Sequence, residues 1–340
     1  MNPTNAEIET AKGLAPPRHY ERGWRTSAET AAIRSVGAAM ERASWDGCRR
    51  AGAWLGLALF GALKQRRGIA ISNLQLAFPH LSRAAANQIA RRSAQNFAMT
   101  FCEFLHLRIA SPEEIRRAAS IDGLEHIESG LERGRGVILL TAHVGNWELM
   151  GARAALEFPL TVVARPTSNR GVQGHMDAVR RAAGLRVLSK YDTARATLKA
   201  LRENVALGIL PDQHGGYEGL LLPMFGHLTR INPAPAKLSL ISGAPLVGAY
   251  GVRRRPFLSD GRIIARVLPG FDVMPLEDDR KRRKIRDESE RAALVEAATR
   301  RAVTQLEGIV RAHPEQWMWL HRRWREEDFG PQSRSQIADE

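Results

Sequence analysis

The stretch VILLTAHVGNWELMG, residues 137–151, combines two patterns that belong to different secondary structures. Val137–Leu140 is a short and wholly apolar run, which is typical of a buried strand. A glycine and an asparagine then interrupt the pattern, and an apolar, helix-compatible segment follows them. The stretch therefore predicts a strand, a tight turn and a helix, with His143 at the end of the strand and Glu148 in the first helical turn.

This turn can bring a histidine and a carboxylate into one cleft. On a regular helix, residues five apart do not share a face, but a strand-to-helix turn removes that restriction. Histidine changes charge near neutral pH, and a carboxylate on its far ring nitrogen fixes the tautomer and supports the imidazolium. The pair predicts a general base, His143, oriented by Glu148. A helix cap or a surface ion pair explains the spacing as well, and the spacing alone does not decide.

Short apolar runs alternate with helical segments from residue 135 onward, whereas residues 26–118 are mainly helical in pattern. This alternation predicts a layered α/β fold, with a mostly parallel central sheet flanked by helices and a helical N-terminal region. The strand candidates are 137–141, 160–164, 186–189, 206–210, 245–253 and 262–267. The expected organisation is a flexible tail over 1–25, a helical region with possible membrane contact over 26–118, an α/β core over 119–330 and a tail over 331–340.

The composition fits a folded protein with an anionic partner. The chain has 340 residues, of which 44% are hydrophobic, and 50 Lys and Arg against 36 Asp and Glu give a net charge of +14. Such an excess suits a phospholipid surface, nucleic acid or an acidic carrier protein. The sequence has no recognised nucleic-acid motif and no Cys/His cluster of metal-binding type. We therefore expect an anionic membrane surface as a partner and no nucleic acid, metal or cofactor.

The segment AGAWLGLALFGAL, residues 51–63, is the most apolar part of the chain and has basic residues on both sides. It is shorter than the roughly 18–20 residues that a membrane-spanning helix needs. An interfacial helix whose basic ends meet lipid headgroups explains it. An ordinary buried helix explains it equally well.

Three motifs in the same order resemble one family. In chain order they are RRGIAISNLQLAFP at 66–79, the His143–Glu148 motif and HPEQWMWLHRRW at 313–324. Together they resemble the bacterial lipid A late acyltransferases, a branch of the glycerolipid and lysophospholipid acyltransferase superfamily. Many of those enzymes carry an N-terminal membrane anchor, and the sequence shows no obvious counterpart, so we expect peripheral attachment.

The resemblance implies an O-acyltransferase at the cytoplasmic face of the bacterial inner membrane. It would move a fatty acyl chain from acyl carrier protein or acyl-CoA to a hydroxyl of a lipid A precursor or related membrane glycolipid. A phosphatidylinositol mannoside, a lysophospholipid or an aminolipid is the alternative acceptor, and a non-catalytic basic binding protein is a less favoured interpretation. No G-x-S-x-G elbow is present, which agrees with direct transfer without a covalent enzyme intermediate.

Further site residues follow from the same resemblance and from the chemistry of acyl transfer. Backbone N–H groups at 144–146 could stabilise the oxyanion, and Asn146 is a candidate to contact substrate. Arg165 and Asn169 are candidates to grip a phosphate or the carrier thioester, since arginine binds phosphate through two parallel bonds. Asp212 could orient an acceptor hydroxyl or Arg165.

In the C-terminal motif, the tryptophans are predicted to be structural. Glu315 and Arg322 are predicted to make substrate or fold-organising contacts. For Met224 and Phe225, an acyl groove and a plain core position are equally compatible with the sequence.

Overall fold

The computed structural model describes residues 23–189, 193–254, 261–274, 285, 287–325 and 328. The helices are α1 (Trp24–Arg42), α2 (Trp45–Ala62), α3 (Lys64–Ala77), α4 (Arg83–His106), α5 (Pro112–Ala118), α6 (Glu125–Leu131), α7 (Trp147–Ala154), α8 (Arg170–Ala182), α9 (Thr193–Arg202), α10 (Ala234–Ser242) and α11 (Glu288–Ala312). The strands are β1 (Ala119–Asp122), β2 (Val137–Leu140), β3 (Leu160–Ala164), β4 (Arg186–Ser189), β5 (Ala206–Ile209), β6 (Leu220–Met224), β7 (His227–Ile231), β8 (Leu246–Arg253) and β9 (Ile263–Val267). Nearly all of the predicted N-terminal tail, 1–25, and the whole tail over 331–340 lie outside the described residues.

Seven strands form the central sheet in the order β1-β9-β8-β2-β5-β3-β4. All neighbouring pairs are parallel except β8 and β9. The predicted α/β class, with its mostly parallel sheet and helical N-terminal region, is confirmed. β2 and β5 are buried at every position, which explains their unbroken apolar runs, because a central parallel strand is covered by helices on both faces.

The sequence patterns did not predict β1 or the hairpin formed by β6 and β7. β1 is short and edge-like, with the sequence ASID and an alternating burial pattern. The hairpin contains Pro223 and turns at Phe225-Gly226, where both residues have positive φ. A two-residue turn of this kind favours Asn-Gly or Asp-Gly, so the sequence carried no standard turn signal there.

The N-terminal helices pack on each other unusually closely. A Cβ added to Gly52 or Gly56 of α2 would lie within 2.5 Å of backbone atoms of α4. Gly52 and Gly56 therefore face α4, whereas Trp54 and Leu59 are 71% and 41% exposed. The second interpretation of residues 51–63, an ordinary buried helix, is wrong for this face. Among the described helices, none is both long enough and apolar enough to cross a bilayer.

The two unusual sequence blocks, 66–79 and 313–324, meet in the structure. The buried side chain of Asn73 in α3 donates hydrogen bonds to the carbonyls of Trp319 and His321, at 2.9 and 2.7 Å. Ser93 in α4 donates to the carbonyl of Trp317. Trp317, Trp319 and Trp324 are each no more than 5% exposed, so the predicted structural role of the tryptophans is confirmed. The helical region thereby holds the C-terminal segment against the sheet.

Candidate active site

The candidate site lies at the carboxyl edge of the parallel sheet, where ligands of open α/β sheets usually bind. β2 and β5 are neighbours, and Leu140 pairs with Ile209 in their register. Three residues beyond that pair, each chain segment has a polar side chain, His143 after β2 and Asp212 after β5. Arg165 follows β3, the next strand, so the sheet order brings all three to one edge.

His143 and Asp212 are bound to each other. Oδ1 of Asp212 lies 2.8 Å from Nδ1 of His143, and Oδ2 accepts the backbone N–H of His143 at 2.9 Å. Oδ2 also accepts the indole N–H of Trp317 at 2.9 Å. The carboxylate is acceptor-only, so Nδ1 carries the hydrogen and Nε2 has the lone pair. Among the described residues, none hydrogen-bonds Nε2, which leaves it available to accept a proton.

The prediction that Glu148 orients His143 is wrong in its geometry, because Asp212 occupies Nδ1. The prediction that Asp212 orients Arg165 is also wrong, because the partners of its carboxylate are His143 and Trp317; a contact of Asp212 with an acceptor hydroxyl stays a prediction. The cause is strand order: β5 lies beside β2, so the first turn after β5 reaches the histidine. Glu148, in the first turn of α7, instead binds Arg180 of α8.

The electrostatics of the pair favour a charged histidine. Burial lowers the pKa of His143, but the charge and hydrogen bond of Asp212, with help from Glu148, outweigh burial and raise it above the ordinary value. Burial would raise the pKa of Asp212, yet His143 and the N–H donors bring it down to about 2. Asp212 is therefore ionised throughout the physiological range, and it supports the imidazolium that forms when Nε2 takes a proton.

Glu148 forms a two-bond ion pair with Arg180 of α8. Nε and Nη2 of Arg180 donate to the two carboxylate oxygens at 3.1 and 2.6 Å. The side chains are 13% exposed for Arg180 and 12% for Glu148, and the guanidinium also lies 5.2 Å from the ring centre of Phe104. A parallel two-bond pair fixes both side chains, so a positive group stands near the candidate base in a defined position. The sequence patterns did not single out Arg180.

A buried polar network under the turn holds His143 in place. Arg253 of β8 forms two bonds to Glu103 of α4, at 2.9 and 2.7 Å, and both side chains are buried. Asn146 donates to Glu103 at 2.7 Å and caps α7 by accepting the N–H of Leu149. Asn146 is 0% exposed, so the prediction that it contacts substrate is wrong: both ends of its amide are used inside the protein.

The backbone amides of the turn are also engaged. Those of Val144, Gly145 and Asn146 donate to the carbonyls of Ala142, Gln316 and Gly251, at 2.7–2.9 Å. The prediction that these N–H groups form the oxyanion site is therefore wrong. Gly145 has φ +57°, and a Cβ there would collide with the Gly251 carbonyl, so the turn requires glycine.

Arg165 and Asn169, the residues predicted to bind phosphate or the thioester, lie in different surroundings. Arg165 is exposed at the carboxyl end of β3, and no hydrogen bond or ion pair joins it to another described residue. Asn169 is 6% exposed and caps α8 by accepting the N–H groups of Gly171 and Val172. Its amide N–H groups go to Thr26 and Glu29 in α1. The prediction for Asn169 is therefore wrong, and Arg165 remains a candidate.

In the C-terminal motif, the organising residues are the neighbours of those predicted. The side-chain amide of Gln316 accepts the backbone N–H of Arg253 and donates to the backbone carbonyl of the same residue. Glu315 is half-buried and lines none of the cavities described below. Arg323 is 2% exposed and donates to the Arg230 carbonyl at 3.0 Å, while Arg322 is exposed and has no hydrogen bond or ion pair with another described residue. The fold-organising role predicted for Arg322 is thus carried by Arg323.

The side chain of His214 pairs with Asp328 rather than with Asp212. Its Nε2 lies 2.7 Å from Oδ2 of Asp328, and both side chains are fully buried. Nδ1 of His214 accepts the N–H of Gly216, and the backbone N–H of His214 donates to Nε2 of His321 at 3.2 Å. The turn over residues 211–216 is therefore locked to the C-terminal segment.

An apolar cavity of about 280 Å³ lies beside this site, between α2, α4 and the C-terminal segment. Its walls are Leu59, Phe60, Leu63, Arg66, Arg67, Ala94, Phe97, Met318, Leu320 and His321. A smaller polar cleft lined by Asp212, Gln213, Trp317, Met318 and His321, among others, adjoins it. Phe225 is 6% exposed and packs among the tryptophans, so its role is in the core. Met224 is 0% exposed and lines a separate small cavity of about 30 Å³, which Asp212 also lines.

The comparisons with known proteins agree with this architecture. A family model for bacterial lipid A biosynthesis acyltransferases matches residues 18–326. The chain is 26% identical to the lipid A biosynthesis lauroyltransferase of Escherichia coli K12 over 287 residues, 84% of this chain and 87% of the relative. It is 23% identical to the lipid A biosynthesis palmitoleoyltransferase of the same organism, over 80% of this chain and 82% of the relative.

A second group of relatives has a different acceptor in its name. The phosphatidylinositol mannoside acyltransferase of Mycolicibacterium smegmatis is 25% identical over 165 residues, 47% of this chain and 54% of the relative. The match to the family model covers far more than half of the chain. The protein therefore belongs to the family of bacterial lipid A biosynthesis acyltransferases, and it is an O-acyltransferase.

Proposed function

We propose that this protein transfers a fatty acyl chain from an acyl carrier protein or acyl-CoA thioester to a hydroxyl of a lipid A precursor, with His143 as the general base. The observation that carries the proposal is the His143–Asp212 pair: no described residue hydrogen-bonds Nε2 of His143, and Asp212 lines a cleft whose Met318 and His321 also line the apolar cavity. A base with a fixed tautomer next to an apolar cavity suits the attack of a hydroxyl on a fatty acyl thioester.

The chemistry needs no covalent enzyme intermediate. The acceptor hydroxyl attacks the thioester carbonyl carbon while Nε2 of His143 takes its proton, and Asp212 stabilises the imidazolium. The carbonyl oxygen becomes negatively charged in the tetrahedral intermediate. When the C–S bond breaks, the leaving thiolate takes the proton back from His143, and the products are an ester and a free thiol.

Glu148 acts in this proposal through charge and position rather than by contact with the histidine. Its carboxylate raises the pKa of His143, and its ion pair fixes Arg180 at the rim of the site. Arg165 lies exposed on the same edge of the sheet. Two guanidinium groups at one rim suit phosphate groups of the acceptor or of the donor carrier.

The exposed face of α2 is the proposed contact with an anionic membrane. Trp54, Leu55 and Leu59 are 71%, 38% and 41% exposed on one helix, and exposed Lys64 and Arg66 follow it. An amphipathic helix with apolar and basic groups together binds at the lipid–water interface. Leu59 also lines the apolar cavity, so an acyl chain could pass from the bilayer into the site. We place this contact at the cytoplasmic face of the inner membrane.

Acyl transfer by purified protein tests the function. Wild type and His143→Ala would each be given a lipid A precursor, a phosphatidylinositol mannoside and a lysophospholipid, with acyl carrier protein and coenzyme A donors. Transfer to the saccharolipid by wild type, with a loss of about 10²–10⁴-fold in the variant, is expected for a lost general base. Near-normal activity of the variant refutes the mechanism, and transfer to another lipid alone refutes the acceptor.

Vesicle flotation tests the membrane contact. Trp54→Ala/Leu59→Ala should weaken binding to phosphatidylglycerol vesicles by about 10²-fold, because each large apolar side chain contributes roughly 1.5 kcal/mol or more when buried. The matched control is Tyr217→Ala/Leu221→Ala, since these side chains are 85% and 42% exposed elsewhere on the molecule. Equal loss in both double variants would refute the assignment of α2 as the contact.

A further inference from the structure

His321 stands between the apolar cavity and the His143–Asp212 pair. Its side chain lines both the apolar cavity and the polar cleft that contains Asp212. The segment that carries it runs alongside the turn after β2: Val144 and Trp317 form an antiparallel bridge, and the N–H of Met318 donates to the His143 carbonyl at 3.1 Å. A thioester whose acyl chain fills the apolar cavity would present its carbonyl near this ring.

The hydrogen bonds of His321 fix which of its nitrogens carries the hydrogen. Nε2 accepts the backbone N–H of His214 at 3.2 Å, so Nε2 has the lone pair and the neutral ring must carry its hydrogen on Nδ1. Among the described residues, none takes up Nδ1–H, and this nitrogen is not sealed from solvent. The ring therefore has one N–H donor that no described residue takes up, and the residue that carries it lines both cavities.

The surroundings keep this donor neutral. Burial lowers the pKa of His321 to about 4, and the buried guanidinium of Arg323 adds to the effect, as do Arg325 and His143, while Asp212 opposes it. The ring thus does not compete with His143 for the substrate proton. A neutral N–H that is held in place can still stabilise a developing negative charge.

The hydrogen-bond donors that stabilise the oxyanion must come from outside the turn over residues 144–146. The amides of residues 144–146 are all engaged in hydrogen bonds within the protein. The tetrahedral intermediate nevertheless places negative charge on the former carbonyl oxygen, and one well-aimed donor contributes about 10²–10³-fold to such reactions.

From this geometry we propose that His321 is a further catalytic residue, whose Nδ1–H donates a hydrogen bond to the carbonyl oxygen of the acyl thioester and of the tetrahedral intermediate. The inference rests on the proposed acyl transfer. It gives the HPEQWMWLHRRW block a chemical role in addition to its structural one. No proton is transferred to the oxygen; the hydrogen bond strengthens as the negative charge develops and weakens when the C–S bond breaks.

Two substitutions separate the catalytic role from the structural one. The amide nitrogen of asparagine lies near the position of Nδ1, so His321→Asn keeps the donor and loses the acceptor for His214. The amide oxygen of glutamine reaches the position of Nε2, so His321→Gln keeps the bond to His214 and loses the donor. His80 is exposed and away from both cavities, and His80→Asn serves as the control.

The expected result is a fall in kcat of about 10²–10³-fold in His321→Gln. His321→Asn should stay within about tenfold of wild type, and His80→Asn should be unchanged. The opposite order, with the glutamine variant active and the asparagine variant inactive, would show that only the bond to His214 matters and would overturn the proposal. Equal activity, or equal loss, in both His321 variants would overturn it as well.

A spectroscopic measurement separates this inference from the proposed function. In a His143→Ala background, lauroyl-CoA labelled with ¹³C at the thioester carbonyl would be bound and its C=O stretch recorded. A hydrogen bond weakens the carbonyl bond and lowers its stretching frequency. The frequency should therefore be lower in the proteins that keep the donor, with His321 intact or His321→Asn, than in His321→Gln. Binding with one frequency in all three proteins refutes the role of His321 alone, whereas no binding at all refutes the thioester site and the inference together.

Discussion

Asp212→Asn should remove the base function of His143 by forcing the wrong tautomer. Oδ2 of Asp212 accepts two N–H groups, from the backbone of His143 and from Trp317. The amide oxygen of the asparagine must therefore take the Oδ2 position, and its amide nitrogen must face Nδ1 of His143. An NH₂ group can only donate, so Nδ1 must accept and the ring hydrogen moves to Nε2.

The magnitude follows from the energy needed to restore the active tautomer. With hydrogen on Nδ1, two buried donors would face each other, and each would lose its hydrogen bond at about 1–3 kcal/mol. The total of about 2–6 kcal/mol corresponds to a rate loss of about 30-fold to 10⁴-fold, at roughly 1.4 kcal/mol per tenfold. The loss of the negative charge that supports the imidazolium adds to this effect.

The assay is the pH profile of kcat/KM for acyl transfer. His143 accepts a proton only when it is neutral, so wild-type activity should rise as pH increases through its pKa, which lies above the ordinary 6.5. In Asp212→Asn this limb should move to lower pH, because the charge that raised the pKa is gone. Asp272→Asn removes a carboxylate that pairs with Arg133 at the surface and should leave the profile unchanged.

Histidine-selective ¹⁵N labelling reads the tautomer directly. The resonance of His143, assigned from the His143→Ala spectrum, should change from hydrogen on Nδ1 to hydrogen on Nε2 in the variant. An Asp212→Asn protein that keeps most of the wild-type activity, with an unmoved pH limb, would refute the reasoning.

Four other substitutions test the framework of the site, all by urea unfolding together with acyl transfer. Glu148→Gln and Arg180→Gln should be non-additive, with a coupling of about 0.5–3 kcal/mol in a double-mutant cycle; additive effects would contradict the ion pair. Arg253→Met leaves a buried carboxylate unpaired and should cost about 3–5 kcal/mol of folding free energy, whereas a loss below about 1 kcal/mol would contradict the buried pair. Gly145→Ala should abolish activity, because its Cβ would displace the Gly251 carbonyl; a fully active variant would show that the turn can relax.

Much of the fold was predictable because it depends on local pattern. The apolar runs at 137–140 and 206–209 are central strands because they are apolar at every position, and both are buried throughout. The strand ends were also predictable, so His143 and Asp212 were each placed just beyond a strand. What failed were short elements with weak patterns, such as Ala119–Asp122 and the hairpin that turns at Phe225-Gly226.

The sequence by itself determined which residues form most of the helices and strands, that the sheet is mostly parallel, and that His143 sits at the turn after a strand. Periodicity and turn residues are local properties, so they survive without knowledge of the rest of the fold. Only the tertiary structure decided that Asp212 rather than Glu148 binds His143, because that depends on β5 lying beside β2. Likewise, only packing against α4 decided that α2 turns Gly52 and Gly56 inward and Trp54 outward, since the side that a helix buries is set by its neighbour.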